Sequence, residues 1–166
     1  MSILYPDYYF KKVTDIPIKL YIKERITTIV FDLDNTLVSN KYILTKELKE
    51  YIKEIKKNNI DIYILSNTPF NKKIQKISKN LSINYINKAL KPWPIGFNKL
   101  KKLYKIDNEK TVMIGDQIFT DVLGGNINKF KTILIDPIDR KEFILTRIKR
   151  PLERIIIKNY LKKVNK

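Results

Sequence analysis

Five short apolar runs rich in β-branched residues punctuate the chain: Ile26 to Phe31, Ile60 to Leu65, Ile83 to Ile86, Thr111 to Ile114 and Thr132 to Ile135. Between them lie longer stretches of helical period, and that alternation predicts βαβ units built on a parallel sheet. Leu48, Tyr51, Ile52 and Ile55 recur at i, i+3, i+4 and i+7 behind a capping Thr45, so one helical stripe can cover the sheet. The next predicted helix takes Thr68 as its cap and Pro69 in its first turn, and carries Phe70, Ile74 and Ile77 inward. Phe97, Leu100, Leu103 and Tyr104 make a third stripe, and Ile118 and Val122 a fourth that ends at Gly124-Gly125. Pro6 to Glu24 reads as an irregular lead-in with a short helix. The fold class is α/β: three layers, Rossmann-like, with a mainly parallel sheet of about five strands. Neither Leu37 to Leu44 nor Asn67 to Leu90 is long enough for an inserted domain, so little or no cap can sit over the sheet.

At 166 residues the chain makes one domain, with 1–139 as its body and 140–166 as a basic amphipathic helix of the same domain. Lys and Arg number 34 against 17 acids, giving +17, yet 43% of residues are hydrophobic, too many for a disordered polycation. Most of the charge is lysine, in a chain rich in Ile and Asn. Arginine is more telling: Arg140, Arg147, Arg150 and Arg154 are four of the five. Ile144, Ile148, Leu152 and Ile155 share one helical stripe, and Arg147, Arg150 and Arg154 line another at spacings suited to headgroup phosphates. Such a helix either packs its apolar stripe on the sheet edge or makes peripheral contact with an anionic membrane, where each cation contributes ~1 kcal/mol. The chain opens on no apolar leader and nowhere runs to eighteen apolar residues, so the expected place is the cytoplasm, with peripheral contact on the inner face of the membrane.

Histidine and cysteine are both absent, which excludes imidazole catalysis, Ser-His-Asp triads, thiolate nucleophiles, zinc-thiolate sites and disulfides. Carboxylate, hydroxyl, lysine and metal remain. In open α/β sheets ligands bind beyond the carboxyl ends of the strands. There this chain places Asp32-Leu33-Asp34-Asn35-Thr36, then Ser66-Asn67, then Lys91-Pro92, then Gly115-Asp116-Gln117 with Asp121 one helical turn on. Any one of these could be an ordinary cap or turn; four at successive strand ends point to a shared task. Phosphate-monoester hydrolysis fits it, because that reaction is accelerated by positioning and by neutralising charge on the equatorial oxygens. Asp32 and Asp116 supply hard oxygen ligands for Mg²⁺. Asp32 can then attack phosphorus in line, and Asp34 can protonate the leaving alkoxide and later serve as base toward water. Ser66, with Asn67 beside it, and Lys91 would hold the phosphoryl oxygens. Trp93, between Pro92 and Pro94, is expected to anchor the loop of Lys91.

These motifs resemble the four signature motifs of the haloacid dehalogenase superfamily. Thr120-Asp121-Val122-Leu123-Gly124-Gly125-Asn126 and the tail Thr146-Arg147, Arg150 and Glu153-Arg154 further resemble the bacterial YqeG family, over roughly Pro6 to Arg154. The resemblance implies Asp32 as the phosphorylated nucleophile, Asp34 as general acid and base, and Ser66 and Lys91 as phosphate binders. It also implies Asp116 as a Mg²⁺ ligand beside Asp32 and the Asp34 backbone carbonyl. Asp at position 34, rather than Thr, favours phosphatases over ion-pumping ATPases. Gln117 stands where many members carry a second acid, leaving Asp121 as an outer-sphere or alternative ligand. The YqeG family is similar to mitochondrial phosphatases that convert phosphatidylglycerophosphate to phosphatidylglycerol, which implies that substrate here; a soluble phosphometabolite, a nucleotide or a phosphoprotein is the alternative.

Two rival classes are weaker. A signalling receiver domain would need its phosphorylatable Asp after the third run, and Asn84 to Leu90 contains no acid. A non-enzymatic nucleic-acid binder is motivated by the charge alone, without an aromatic RNP pattern, zinc spacing or helix-turn-helix, so nucleic acid is not an expected partner.

Overall fold

The computed structural model describes residues 2–39, 41–139 and 144–164, with side chains throughout except for 144–150. Six strands form one sheet: β1 (Tyr8–Phe10), β2 (Thr28–Phe31), β3 (Asp61–Leu65), β4 (Asn84–Ile86), β5 (Thr111–Gly115) and β6 (Lys131–Ile135). All five pairings are parallel, in the order β1-β6-β5-β2-β3-β4. The helices are α1 (Ile18–Lys23), α2 (Lys46–Lys57), α3 (Asn71–Leu81), α4 (Pro94–Tyr104), α5 (Leu123–Ile127) and α6 (Ile144–Val164), with a π-helical turn at Ile118–Val122 before α5. The chain leaves β2 toward β3 on one side, and later returns through β5 on the other. That reversal opens a crevice at the carboxyl end of β2, where ligands of such sheets bind.

The five apolar runs are β2 to β6. The sixth strand, β1, comes from the stretch expected to be irregular. It is three half-buried residues on an edge, too short to show alternation, and it joins β6 with Tyr8 opposite Ile133. Asp7 secures the pairing: its N–H donates to the Thr132 carbonyl (3.0 Å) and its carboxylate accepts from the Thr132 N–H (2.8 Å).

Each face of the sheet is covered as the periodicity requires. Leu48, Tyr51, Ile52 and Ile55 of α2 and Ile74 and Ile77 of α3 pack on the face carrying Ile29, Phe31, Ile64 and Ile114. Phe97 and Leu100 of α4 pack on the opposite face with Val30, Leu65 and Met113. Burying each such side chain contributes about 1.5–3 kcal/mol. The Thr45 hydroxyl accepts from the Leu48 N–H at 3.2 Å and caps α2. Three expectations shift. Helix α3 begins at Asn71 with Phe70, which is exposed, in the cap position instead of Thr68, whose N–H closes a turn on Ser66 Oγ (3.0 Å). Leu103 of α4 is exposed too. Gly124 and Gly125 lie inside α5 instead of ending a helix; a Cβ on Gly124 would stand 2.6 Å from the Phe97 ring, so glycine lets α5 seat against α4.

The C-terminal helix runs unbroken through Pro151. It docks by a different stripe from the one expected. Glu153 and Tyr160 are buried, and Ile156 and Ile157 pack on Ile118, Val122 and Leu134. Leu152 and Ile155 are each 58% exposed. The rotation follows from a polar requirement: Glu153 Oε1 accepts the Ile118 N–H at 2.8 Å and the Phe119 N–H at 3.3 Å, satisfying donors that the start of a helical turn leaves open. The side chains of Ile144, Arg147, Ile148 and Arg150 lie outside the described residues, as does Arg140. No helix among the described residues is long and apolar enough to cross a membrane.

Candidate active site

Asp32 follows β2 directly, and its N–H extends the ladder by bonding the Ile114 carbonyl at 2.9 Å. The chain then turns sharply: the Leu33 carbonyl accepts from the Leu37 and Val38 N–H groups, and the Asn35 N–H bonds the Val38 carbonyl at 2.8 Å. Asn35 takes the left-handed conformation (φ 62°) that asparagine tolerates better than most residues.

Asp32, Asp116 and Asp121 are all buried, and each offers a carboxylate oxygen within 4.8 Å of the other two. Lys91 reaches into this group. Its ammonium lies 2.6 Å from Asp32 Oδ1 and 2.7 Å from Asp121 Oδ1, with the lysine side chain 1% exposed. The backbone of Lys91 is fixed by Asn67, whose Oδ1 accepts the Lys91 N–H (2.7 Å) and whose amide donates to the Lys91 carbonyl (3.0 Å). Asn67 thus holds the lysine, a task expected of Trp93, which is exposed. Asp121 is oriented from its other oxygen, Oδ2, by the Gln117 N–H at 3.1 Å. It sits so close to the end of β5 that a Cβ at Gly115 would fall 2.2 Å from Oδ2, so only glycine fits there. Ser66, fully buried at the end of β3, accepts the Thr68 N–H through Oγ and still has its hydroxyl hydrogen to donate.

Asp34 stands apart from the buried trio. It is half-buried, and Oδ1 accepts the Tyr42 hydroxyl at 2.6 Å. Arg154, on α6, is elsewhere, lining a shallow pocket with Tyr9 and Asp136. The sequence did not single out Tyr42, and named Glu153 only within the tail that resembles the YqeG family, without a role. Tyr42 is one of ten tyrosines with no local pattern to mark it. Glu153 did leave a trace, as one of two acids against ten basic residues between Arg140 and Lys166.

Burial pushes the Asp32 carboxyl up to about 7; the Lys91 charge works against that shift, and Asp121 adds to it. For Lys91 burial acts to lower the ammonium, but the Asp121 and Asp32 carboxylates outweigh it and hold the group above the ordinary lysine range. Lys91 therefore stays charged. Burial, and then the Asp34 carboxylate, hold the Tyr42 phenol well above its usual range, so it remains a donor at neutral pH. With its acids ionised the cluster has three carboxylates and one ammonium. The surplus of two negative charges on hard oxygens suits a divalent cation.

The chain is 36% identical over 153 residues, 92% of its length and 88% of the relative's, to "Probable phosphatase YqeG" of Bacillus subtilis (strain 168). A family model described as a haloacid dehalogenase-like hydrolase matches residues 38–126, which include Ser66, Lys91, Asp116 and Asp121 and begin just after Asp34. The chain belongs to the haloacid dehalogenase-like hydrolases. A second relative, "Phosphatidylglycerophosphate phosphatase 1, chloroplastic/mitochondrial" of Arabidopsis thaliana, is 28% identical over 146 residues, covering 81% of this chain and 42% of that longer protein. Among solved structures, an uncharacterized protein from Listeria monocytogenes serotype 4b shares the fold, with TM-score 0.57 and 19% identity over 81% of this chain and 99% of that one. Within the dehalogenase-like hydrolases the chain is a phosphatase.

Proposed function

We propose that the protein hydrolyses phosphate monoesters with Mg²⁺ through a phosphorylated Asp32. The carrying observation is the buried cluster itself, three carboxyl groups around one ammonium, with a lysine clamped so that it bridges the proposed nucleophile and Asp121. Asp32 attacks phosphorus as the bond to the ester oxygen breaks, forming an acyl phosphate. Asp34, oriented by Tyr42, gives its proton to the departing alkoxide. It then takes a proton from the water that attacks phosphorus and releases inorganic phosphate and free Asp32. Lys91 and Ser66 hold phosphoryl oxygens through both steps. Asp32, Asp116 and the Asp34 carbonyl would hold Mg²⁺, with Asp121 as the alternative ligand; bound there, the ion neutralises charge on the transferring group.

The substrate we favour is phosphatidylglycerophosphate, the lipid in the name of the Arabidopsis relative. Two features support a lipid. Among the described residues, the connections after β2 and β3 carry no inserted domain to close over a bulky ester. The outer face of α6 shows Leu152 and Ile155 beside exposed Lys158 and Lys162, an amphipathic face suited to an anionic bilayer. The test is Mg²⁺-dependent phosphate release from phosphatidylglycerophosphate micelles beside an aryl phosphate and a panel of soluble esters. Asp32→Asn should stay folded and lose roughly 10⁴-fold or more in rate on every substrate. Full activity in that variant removes the nucleophile; faster turnover of a soluble ester removes the lipid. Sedimentation with anionic vesicles should fall steeply with salt and drop in Leu152→Ser/Ile155→Ser, and unchanged binding by that variant rejects the membrane face.

A further inference from the structure

The loop that delivers Lys91 to the acids turns its other large side chains outward. Its neck closes where the Gly96 N–H bonds the Ala89 carbonyl at 3.1 Å, and a Cβ on Gly96 would stand 2.5 Å from that oxygen, so glycine lets the two ends of the loop meet. Between them Lys91 is buried, with its backbone clamped by Asn67. Leu90, Trp93 and Ile95 are 54%, 67% and 61% exposed. Phe70, on the loop after the neighbouring strand β3, is 46% exposed. The Lys73 ammonium lies 4.6 Å from the centre of its ring and 4.3 Å from that of Tyr42, the donor to Asp34. Single apolar residues on a surface need no explanation, but these four stand at the end of the sheet that holds the acids. Leu90 takes the left-handed conformation (φ 57°), which glycine or asparagine adopts with less strain. A leucine held there with its side chain in solvent contributes little to the fold. The charge around this rim has one sign: residues 62–106 contain ten lysines and no acid, and Lys72, Lys73, Lys88 and Lys99 among them are exposed.

We infer that this rim seats in an anionic phospholipid bilayer, with Leu90, Trp93 and Ile95 entering the zone between headgroups and acyl chains while the surrounding lysines meet lipid phosphates. The inference rests on the lipid reading of the substrate and adds where the bilayer meets the site, which is at the loop of Lys91 itself. Tryptophan favours that zone because its ring is apolar and its N–H polar, and clustered lysines favour an anionic leaflet. An acidic protein would match the charge, but a lipid phosphatase needs its mouth against the membrane if the acyl chains of the substrate are to stay there.

Trp93 is the single tryptophan of the chain, so the unaltered protein reports on the rim. Vesicles of phosphatidylglycerol and phosphatidylcholine should move its fluorescence to shorter wavelength, and brominated acyl chains should quench it. Phosphatidylcholine alone should do neither, and high salt should reverse both effects. Leu90→Asn suits the left-handed backbone and Ile95→Asp suits the first turn of α4. Together they should weaken vesicle binding about tenfold or more, the effect of withdrawing buried apolar side chains from the bilayer, and leave aryl phosphate hydrolysis unchanged. Vesicles that sediment the protein without altering its emission overturn the inference, as does an equal response to phosphatidylcholine alone. A shift that grows with protein concentration in the absence of lipid overturns it too, and gives the rim to a second copy of the chain. Loss of aryl phosphate hydrolysis in the double variant would make the rim a support of the site instead. Lipid turnover is read separately. An emission shift without turnover of phosphatidylglycerophosphate removes that substrate and leaves the rim assignment standing, whereas turnover in vesicles without a shift does the reverse.

Discussion

Two lysines at opposite ends of the same parallel sheet pair with acids in contrasting ways. At the carboxyl end Lys91 is buried between Asp32 and Asp121, with Asp116 close by. At the amino end Lys131, 40% exposed at the start of β6, lies 3.0 Å from Glu24, which also accepts the Tyr8 hydroxyl at 2.7 Å. The outer pair joins β1, α1 and β6 at little desolvation cost and, being near solvent, contributes little. The inner cluster gathers three carboxylates away from water, an arrangement that aliphatic residues of similar volume would often equal or better for stability. On the proposed function that charge serves chemistry rather than stability.

The most disruptive way to break that contrast is Lys91→Met. Removing the ammonium leaves Asp32 and Asp121 buried without their shared cation, and loss of a partner from a buried pair costs about 3–5 kcal/mol. Urea denaturation in EDTA should show that loss, and phosphate release should vanish with it. A companion change, Lys91→Met with Asp121→Asn, should recover part of the stability and none of the activity. The Asp32 carboxyl gives the pH sign. Its value in the fold, about 7, lies above the ordinary 3.8, so between those limits the folded chain binds more protons than the unfolded one. Metal-free protein therefore loses stability as pH rises through that window. Asp32→Asn should flatten the slope, and an unchanged slope would show that another group is responsible.

The same contrast explains what could be read from the sequence. Strands β2, β3, β5 and β6 announced themselves because nearly all their residues are buried on both faces, and edge strand β4 through the apolar Ile83 and Ile86 that flank and end it. The strand-end residues stood out because hydrophobic runs stop there abruptly in Asp, Ser or Gly. Strand β1 did not, since Tyr8 to Phe10 is half-buried and its pairing depends on Asp7, a polar residue that carries no strand signal. At the site, Asp32, Lys91, Asp116 and Asp121 were legible as a set and do meet. The supports were not: Tyr42 on Asp34, Asn67 on the Lys91 backbone and Glu153 on the turn carrying Asp121 act through contacts between residues far apart in sequence or without a motif. The orientation of α6 was misread for the same reason. Counting apolar positions selected Leu152 and Ile155, whereas a single buried carboxylate at Glu153 turned the helix the other way.

Glu153 sharpens the comparison at intermediate cost. Its carboxylate lies 35 and 34 residues from the N–H groups it accepts, and those groups open the turn that carries Asp121. Glu153→Ala leaves buried donors without that acceptor, which costs about 1–3 kcal/mol. The turn should loosen, raising the Mg²⁺ concentration needed for half-maximal phosphate release. Glu153→Gln keeps an acceptor oxygen and should restore most of the metal dependence. A stability loss in Glu153→Ala with no change in the Mg²⁺ requirement would reduce Glu153 to a tether for α6.

The smallest effect belongs to the amino end. The Tyr8 hydroxyl, and after it Lys131, hold the Glu24 carboxyl below its ordinary value, so the stabilisation is present at neutral pH and lost as pH falls through the carboxylate range. Lys131 is well exposed and the pair is screened, which limits Glu24→Gln to about 0.5 kcal/mol at neutral pH. That difference should shrink in high salt and vanish below the carboxylate range, with phosphate release unaltered throughout. Thermal unfolding across pH and salt measures it directly. A loss comparable to that of Lys91→Met would mean that β1 is held by this one contact, and that the two ends of the sheet are not the opposites their exposure makes them.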